Sequence, residues 1–148
     1  MVTLVGLSLS SFRSMEFLSQ EEALKIGDPE EKMKNSRLLF LEQLIKAYHE
    51  KIPFHNIHLL NMKPEQRHVP TWAEIKAEMM CSSGGLCYTM SVFMKFLLDA
   101  LGFKTCFLAC AVKGFPDNHI ATAICDLTEK GSLHYVDPTA YPTYAAIP

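Results

Sequence analysis

Three residues of this sequence, a cysteine, a histidine and an aspartate, have the types and the chain order that a thiol triad requires. Cys87 follows two glycines and a leucine, His119 comes later in the chain, and Asp137 follows a tyrosine and a valine. In such a triad the histidine takes the thiol proton, and the carboxylate fixes the imidazole tautomer and stabilises its charged form. The three residues therefore predict nucleophilic chemistry at Cys87, if the fold brings them together.

The residues after Cys87 predict a helix that carries the thiol in its first turn. Met90, Phe93 and Leu97 recur at three- and four-residue spacing, and Gly102 is the expected stop signal. Unpaired N–H groups and the positive end of the helix dipole favour a thiolate at that position. On these residues alone, a buried and inert cysteine remains the alternative.

After the helix the sequence changes to the pattern of a β meander. Strands are predicted at residues 105–112, 120–126 and 133–136, with turns between them at 114–118 and 127–132. His119 opens the second strand and Asp137 ends the third, so adjacent antiparallel strands could place the two side chains together. From spacing alone, His119 could equally be an edge-strand histidine with a structural partner, and Asp137 before Pro138 a turn former.

The first half of the chain predicts helices separated by polar turns. Its signals are a capping box at Ser19 and Glu22, a charged turn at 28–31, a helix from Ser36 through His49, a loop at 58–70 and a second capping box at Thr71 and Glu74. The helix that this second box opens stops before Ser82. Helices followed by a strand meander predict an α+β fold.

Composition bounds the function classes. The chain has 148 residues, of which 49% are hydrophobic and 20% charged, which is typical of a globular protein with a real core. The net charge of −2 gives no reason to expect nucleic acid or an anionic membrane surface as a partner. No apolar run is long enough to span a bilayer, and the apolar start of the chain is a poor signal peptide.

The five cysteines indicate neither a disulfide framework nor a zinc site. Their number is odd, and no two closely spaced pairs exist that could ligate zinc. We expect Cys106 and Cys110, four residues apart, to be core residues on one face of a strand. A reducing, cytoplasmic location and the absence of a metal cofactor are the expectations.

The sequence resembles the arylamine N-acetyltransferase family. Five separate segments match that family in the right order: residues 52–57, residues 83–87, residues 100–103, His119 and residues 135–137. The resemblance implies a thiol-triad, cysteine-proteinase-like core, with a helical domain at 1–102 that ends in the nucleophile helix. Residues 103–148 would then be the incomplete start of a β-barrel domain.

The resemblance also implies a function. Cys87, His119 and Asp137 would be the triad, acetyl-coenzyme A the acyl donor, and an arylamine or arylhydrazine the acceptor. The mechanism would be ping-pong, through an acetyl thioester on Cys87. Because family members continue past residue 148, the resemblance implies that truncation impairs turnover. Exposed strand edges around residues 105–112 and 120–126 would favour self-association.

The sequence departs from the family pattern at several positions. The family arginine before the two glycines is Ser83 here, and the family glutamate after Pro-Phe is His55. In the family these two residues look like a charge pair, and replacing both destabilises a protein less than leaving one buried charge without its partner. We therefore expect His55 and Ser83 to be neighbours. Thr89 and Ser91 also replace family residues, and residues 138–142 replace a glycine-rich run, which would weaken coenzyme binding.

Two other functions remain open on the sequence. Asp-Pro-Thr at residues 137–139, after a strand, also resembles transglutaminase-like proteins, which share a thiol-triad core, although the amino-terminal half does not match them. The third alternative is a non-catalytic relic that acts as an interaction module. Thioester formation with acetyl-coenzyme A, release of ammonia from glutamine peptides, or neither reaction would distinguish the three.

Overall fold

The computed structural model describes residues 28–139, which form helices and an antiparallel sheet. The helices are α1 Pro29–Asn35, α2 Arg37–Lys51, α3 Ile57–Asn61, α4 Trp72–Met80 and α5 Cys87–Ala100, with a short 3-10 helix at Pro64–Gln66. The strands are β1 Lys104–Val112, β2 Phe115–Cys125 and β3 Leu133–Val136. The predicted α+β class is confirmed. The helix predicted after Ser19 lies outside the described residues.

Local capping explains where the first two helices begin. Asp28 accepts a hydrogen bond from the Glu30 N–H at 3.0 Å, and a proline occupies the first turn of α1. The predicted charged turn at 28–31 is therefore wrong, because these acidic residues form the start of a helix. Ser36 caps α2 through the Leu39 N–H, and α2 ends before Pro53 as predicted.

The segment between α2 and α5 contains more helix than the sequence indicated. The loop predicted at residues 58–70 is wrong in part, because α3 and the 3-10 helix lie there. The Asn56 side chain makes no cap bond to α3, and the first N–H of this helix, that of Ile57, donates to the His55 ring instead. The predicted capping box of α4 is confirmed: the Thr71 N–H donates to Glu74 Oε2 at 2.7 Å, and the Glu74 N–H to Thr71 Oγ1 at 3.4 Å.

The sheet has the order β1–β2–β3 with antiparallel neighbours. The turn predicted at 114–118 is wrong, because β2 begins at Phe115 and the chain reverses at Lys113 and Gly114, which both have positive φ. Asn118 supports this longer hairpin, since its side chain bonds both the N–H (2.8 Å) and the carbonyl (3.1 Å) of Val112.

One core joins the helices to the sheet. It contains apolar side chains from α2, α4 and α5 together with Phe103, Ile124 and Val136. The Ser91 hydroxyl of α5 donates to the Ile120 carbonyl at 2.8 Å, which fixes α5 against β2. The predicted domain boundary falls at Gly102, in the turn between α5 and β1, and stays a prediction.

The prediction that Cys106 and Cys110 are core residues is wrong, because Cys106 is exposed and Cys110 is half-buried. Among residues 28–139, no helix combines the length and the apolar character needed to cross a membrane.

Candidate active site

Cys87 is the first residue of α5, as the sequence predicted. The preceding residue, Leu86, has no side chain that could cap the helix, and the first turn closes with a bond from the Met90 N–H to the Leu86 carbonyl at 3.0 Å. The N–H groups of residues 87–89 therefore have no acceptor within the helix. The Cys87 thiol is half-buried and not in a disulfide. This position offers the sulfur a positive helix end and nearby backbone donors.

The two glycines before Cys87 are required by close contacts. Gly84 has a φ of +82°, and a Cβ there would lie 1.9 Å from the Pro53 carbonyl oxygen. A Cβ at Gly85 would lie 3.0 Å from Cβ of Thr89, whose side chain is buried against it. The glycines thus let the chain pass between the 53–55 segment and the first turn of α5.

The 53–55 segment is bonded to the loop that carries Cys87. Gly85 donates to the Pro53 carbonyl at 3.2 Å, and the His55 N–H donates to the Gly85 carbonyl at 3.0 Å. The His55 ring donates from Nε2 to the Ser83 carbonyl at 2.6 Å and accepts at Nδ1 from the Ile57 N–H at 3.1 Å. The predicted proximity of His55 and Ser83 is confirmed. The contact uses the Ser83 backbone, which the sequence did not indicate.

His119 and Asp137 are in direct contact, as the sequence predicted. The His119 Nε2 and Asp137 Oδ2 atoms lie 2.5 Å apart, and both side chains are shielded from solvent. His119 lies within β2 rather than at its start, and Asp137 follows the last residue of β3. Because Nε2 donates to the carboxylate, Nδ1 is the nitrogen that can accept a proton.

The Asp137 carboxylate has further partners that sequence reasoning missed. The Tyr135 hydroxyl donates to Oδ2 at 2.7 Å, and Thr139 donates to Oδ1 from its N–H at 2.9 Å and from its hydroxyl at 2.7 Å. Burial by itself would raise the pKa of Asp137, but these bonds and that from His119 outweigh it, so the pKa is lowered. Asp137 therefore stays ionised beside the imidazole. Tyr135 lies two residues before Asp137, which is the spacing of side chains on one face of a strand.

The thiol and the histidine belong to elements that are packed together. Cys87 and Ser91 are four residues apart and share a face of α5, and Ser91 bonds the carbonyl of Ile120, the residue after His119. Within residues 28–139, no hydrogen bond joins the Cys87 sulfur to His119. In the absence of substrate, such bonds are often long and tighten during the reaction. The assignment of all three residues to one triad stays a prediction.

Another thiol differs from Cys87 in its surroundings. Partial burial raises the pKa of Cys106, and its neighbour Cys125 raises it further. Cys106 therefore holds its thiol proton more firmly than a free cysteine does. Among the described residues, no group of three or more histidine, cysteine, aspartate or glutamate side chains could hold a metal ion.

Comparison with known proteins identifies a family. A family model described as N-acetyltransferase matches residues 37–131 of the 148-residue chain, a stretch that contains Cys87 and His119. Asp137 lies beyond the matched range. Neither the curated proteins nor the solved structures gave a match.

Proposed function

The chain belongs to the arylamine N-acetyltransferase family, and we propose that it transfers an acetyl group from acetyl-coenzyme A through Cys87 to an arylamine or arylhydrazine. Cys87 is the nucleophile, His119 the base and Asp137 the carboxylate that orients the base. The observation that carries the proposal is the contact between His119 Nε2 and Asp137 Oδ2, in a chain whose helix α5 begins at Cys87.

The backbone N–H groups at the start of α5 are placed to stabilise the negative charge that develops when a thiol attacks an acyl thioester. Acetyl-coenzyme A would supply the acetyl group in activated form. The chain offers a thiol at the start of a helix, and the N–H groups of residues 87–89 point out of the first turn toward any negative charge that forms there. Thr139, in the stretch that replaces the family's glycine-rich run, donates to Asp137 from both its N–H and its hydroxyl, and so helps to orient the carboxylate.

In the first half-reaction His119 accepts the thiol proton at Nδ1. The Cys87 sulfur then forms a bond to the acetyl carbonyl carbon, and the bond from that carbon to the leaving sulfur breaks. His119 returns the proton to the departing thiolate. Asp137, ionised because hydrogen bonds lower its pKa, stabilises the imidazolium that exists between the two transfers.

In the second half-reaction the acetyl group leaves Cys87. The amine nitrogen forms a bond to the carbonyl carbon, and its proton passes to His119 Nδ1. The carbon–sulfur bond to Cys87 breaks, and the proton returns to the sulfur, which regenerates the thiol. The same three side chains thus serve both steps, which is the requirement of a ping-pong mechanism.

The two half-reactions can be tested separately. Release of coenzyme A in a first-turnover burst, measured with a thiol reagent, reports the first step, and acetylated aniline measured by chromatography reports the second. We expect both in the wild type and neither in Cys87→Ser, with Cys81→Ser as the matched control because Cys81 is exposed and lies outside the site. An equal burst from Cys87→Ser would refute the assignment of the nucleophile. Ammonia release from a glutamine peptide instead would indicate the transglutaminase-like alternative.

A further inference from the structure

One face of the sheet carries thiols that the proposed acetyl transfer does not use. In the register of β1 and β2, Cys106 is opposite Ala123, and Cys125 is opposite Lys104. Because residues two apart on a strand share a face, Cys106 and Cys125 are diagonal neighbours on the same face of the hairpin. Cys110 is on this face too, but it lies four residues, about 13 Å, further along β1. The hairpin therefore pairs two of the three thiols.

The thiols of Cys106 and Cys125 interact directly. The side chain of Cys125 raises the pKa of Cys106 through a hydrogen bond and through its charge, in addition to the effect of burial. Cys106 is exposed, Cys125 is half-buried, and neither belongs to a disulfide. The two sulfur atoms thus face each other at a position that a ligand can reach from solvent.

The diagonal spacing suits a cation between the two sulfurs better than a disulfide. Diagonal neighbours have Cα atoms about 7–8 Å apart, whereas a disulfide usually has about 4.4–6.8 Å between its Cα atoms. A cation bonded to both sulfurs separates them by up to twice a metal–thiolate bond of about 2.3 Å. The pair could therefore hold such a cation without the backbone movement that a direct sulfur–sulfur bond would require.

The number and the type of the ligands select the cation. Structural zinc sites have four ligands, and within residues 28–139 no group of three or more histidine, cysteine, aspartate or glutamate side chains could hold a metal ion. Thiolates are soft ligands that favour Cu(I), which two thiolates can bind in a line. The pair thus fits Cu(I) and lacks the ligands that zinc needs.

The charged groups beside the pair do not decide what it binds. Lys104, opposite Cys125, bonds Asp126 at 2.9 Å, and Lys95 bonds Asp99 at 2.6 Å. Each lysine therefore already has a carboxylate partner. The softness of the two sulfur atoms is the property that distinguishes this position from the rest of the surface.

We propose that Cys106 and Cys125 bind one Cu(I) ion between their sulfur atoms. Each thiol loses its proton when its sulfur bonds the ion, so one Cu(I) and two thiols give a bis-thiolate complex of charge −1 and two free protons. Copper keeps its oxidation state, and no oxidant or reductant takes part. The site does not include Cys87, so its test stands apart from that of the proposed function.

Competition for Cu(I) tests the proposal. A variant that keeps only the pair, with Cys81, Cys87 and Cys110 all replaced by serine, is titrated under nitrogen against the coloured Cu(I) chelator bicinchoninate. We expect the variant to withdraw one equivalent of Cu(I), and X-ray absorption to show two sulfur ligands and no nitrogen. No withdrawal of copper, or a nitrogen ligand on the bound ion, would overturn the proposal.

Single variants of the wild type locate the ion. Cys106→Ser and Cys125→Ser should each lose this equivalent of Cu(I), because one thiolate remains. Cys110→Ser is the matched control, since Cys110 is on the same face of the same hairpin, and it should retain the ion. Circular dichroism shows whether each variant is folded. Retention of the ion in both Cys106→Ser and Cys125→Ser would refute the site.

Thiol mapping separates this site from Cys87 and from a disulfide. One equivalent of Cu(I) should protect Cys106 and Cys125 of the wild type from iodoacetamide and leave Cys87 open to alkylation. Protection of Cys87 alone would place the copper at the nucleophile and overturn the proposal. The thiol oxidant diamide should not join Cys106 to Cys125, and a peptide that contains this disulfide would contradict the spacing on which the proposal rests.

Discussion

Replacement of Gly84 by alanine tests whether the contact between the Cys87 loop and the 53–55 segment holds the site together. At Gly84 an added Cβ would lie 1.9 Å from the Pro53 carbonyl oxygen, which is backbone and cannot rotate away. Gly102 provides a matched control. Its φ of +81° is almost the same as the +82° of Gly84, and an added Cβ there meets nothing within 4 Å.

The structure sets the expected magnitudes. Both substitutions place alanine in a left-handed conformation, which costs roughly 1–2 kcal/mol. In Gly84→Ala the displaced Pro53 carbonyl also loses its bond from the Gly85 N–H, and the adjacent bond from the His55 N–H to the Gly85 carbonyl is strained. Two hydrogen bonds at about 0.5–1.5 kcal/mol each add about 1–3 kcal/mol.

Urea unfolding followed by tryptophan fluorescence measures the difference. The chain has one tryptophan, Trp72, which is partly buried and packs against Phe96 and the core residue Phe93. We expect Gly84→Ala to lower the free energy of unfolding by about 1–3 kcal/mol more than Gly102→Ala does. Equal losses in the two variants would refute the claim that close approach to Pro53 requires the glycine.

Three further predictions concern the carboxylate and the helix cap. Tyr135→Phe removes a hydrogen-bond donor to Asp137, so we expect the pKa of Asp137 to rise and the alkylation rate of Cys87 to fall roughly fivefold. The control variant Tyr88→Phe should leave the alkylation rate unchanged. Equal rates in Tyr135→Phe and the wild type would contradict this prediction. Because the pKa of Asp137 is lowered on folding, its stabilising contribution is full above its unfolded pKa of about 3.9 and is lost as pH falls through the folded pKa. Urea midpoints in steps of pH should therefore fall more steeply below about pH 4 for wild type than for Asp137→Asn, and parallel curves would contradict the sign. Thr71→Ala should lower the unfolding free energy by about 1 kcal/mol through loss of the capping box, and an unchanged urea midpoint would show that the box adds no stability.

Signals that are local in sequence predicted their elements well. The capping box at Thr71 and Glu74 marks α4, and Gly102 follows α5 as a stop signal. The third strand has the predicted bounds. In each case the residues that decide the structure lie within a turn of the element, so no knowledge of tertiary contacts was needed.

Tertiary contacts explain what the sequence could not predict. Residues 115–118 contain turn formers, yet they extend β2 because the Asn118 side chain takes over the backbone bonds of Val112. In the site, the contact of His119 with Asp137 followed from two strands in the right order. The role of Tyr135 did not, because its hydroxyl reaches Asp137 only through the geometry of one strand face.

The central claim is that Cys87 becomes acetylated, and the mass of the intact protein after incubation with acetyl-coenzyme A tests it most directly. We expect the wild type to gain the mass of one acetyl group, with peptide mapping that locates it on Cys87. Asp137→Asn should gain it more slowly, and Cys87→Ser should not gain it. A wild-type mass that does not change, or an acetyl group that maps to Cys106 or another cysteine, would contradict the account.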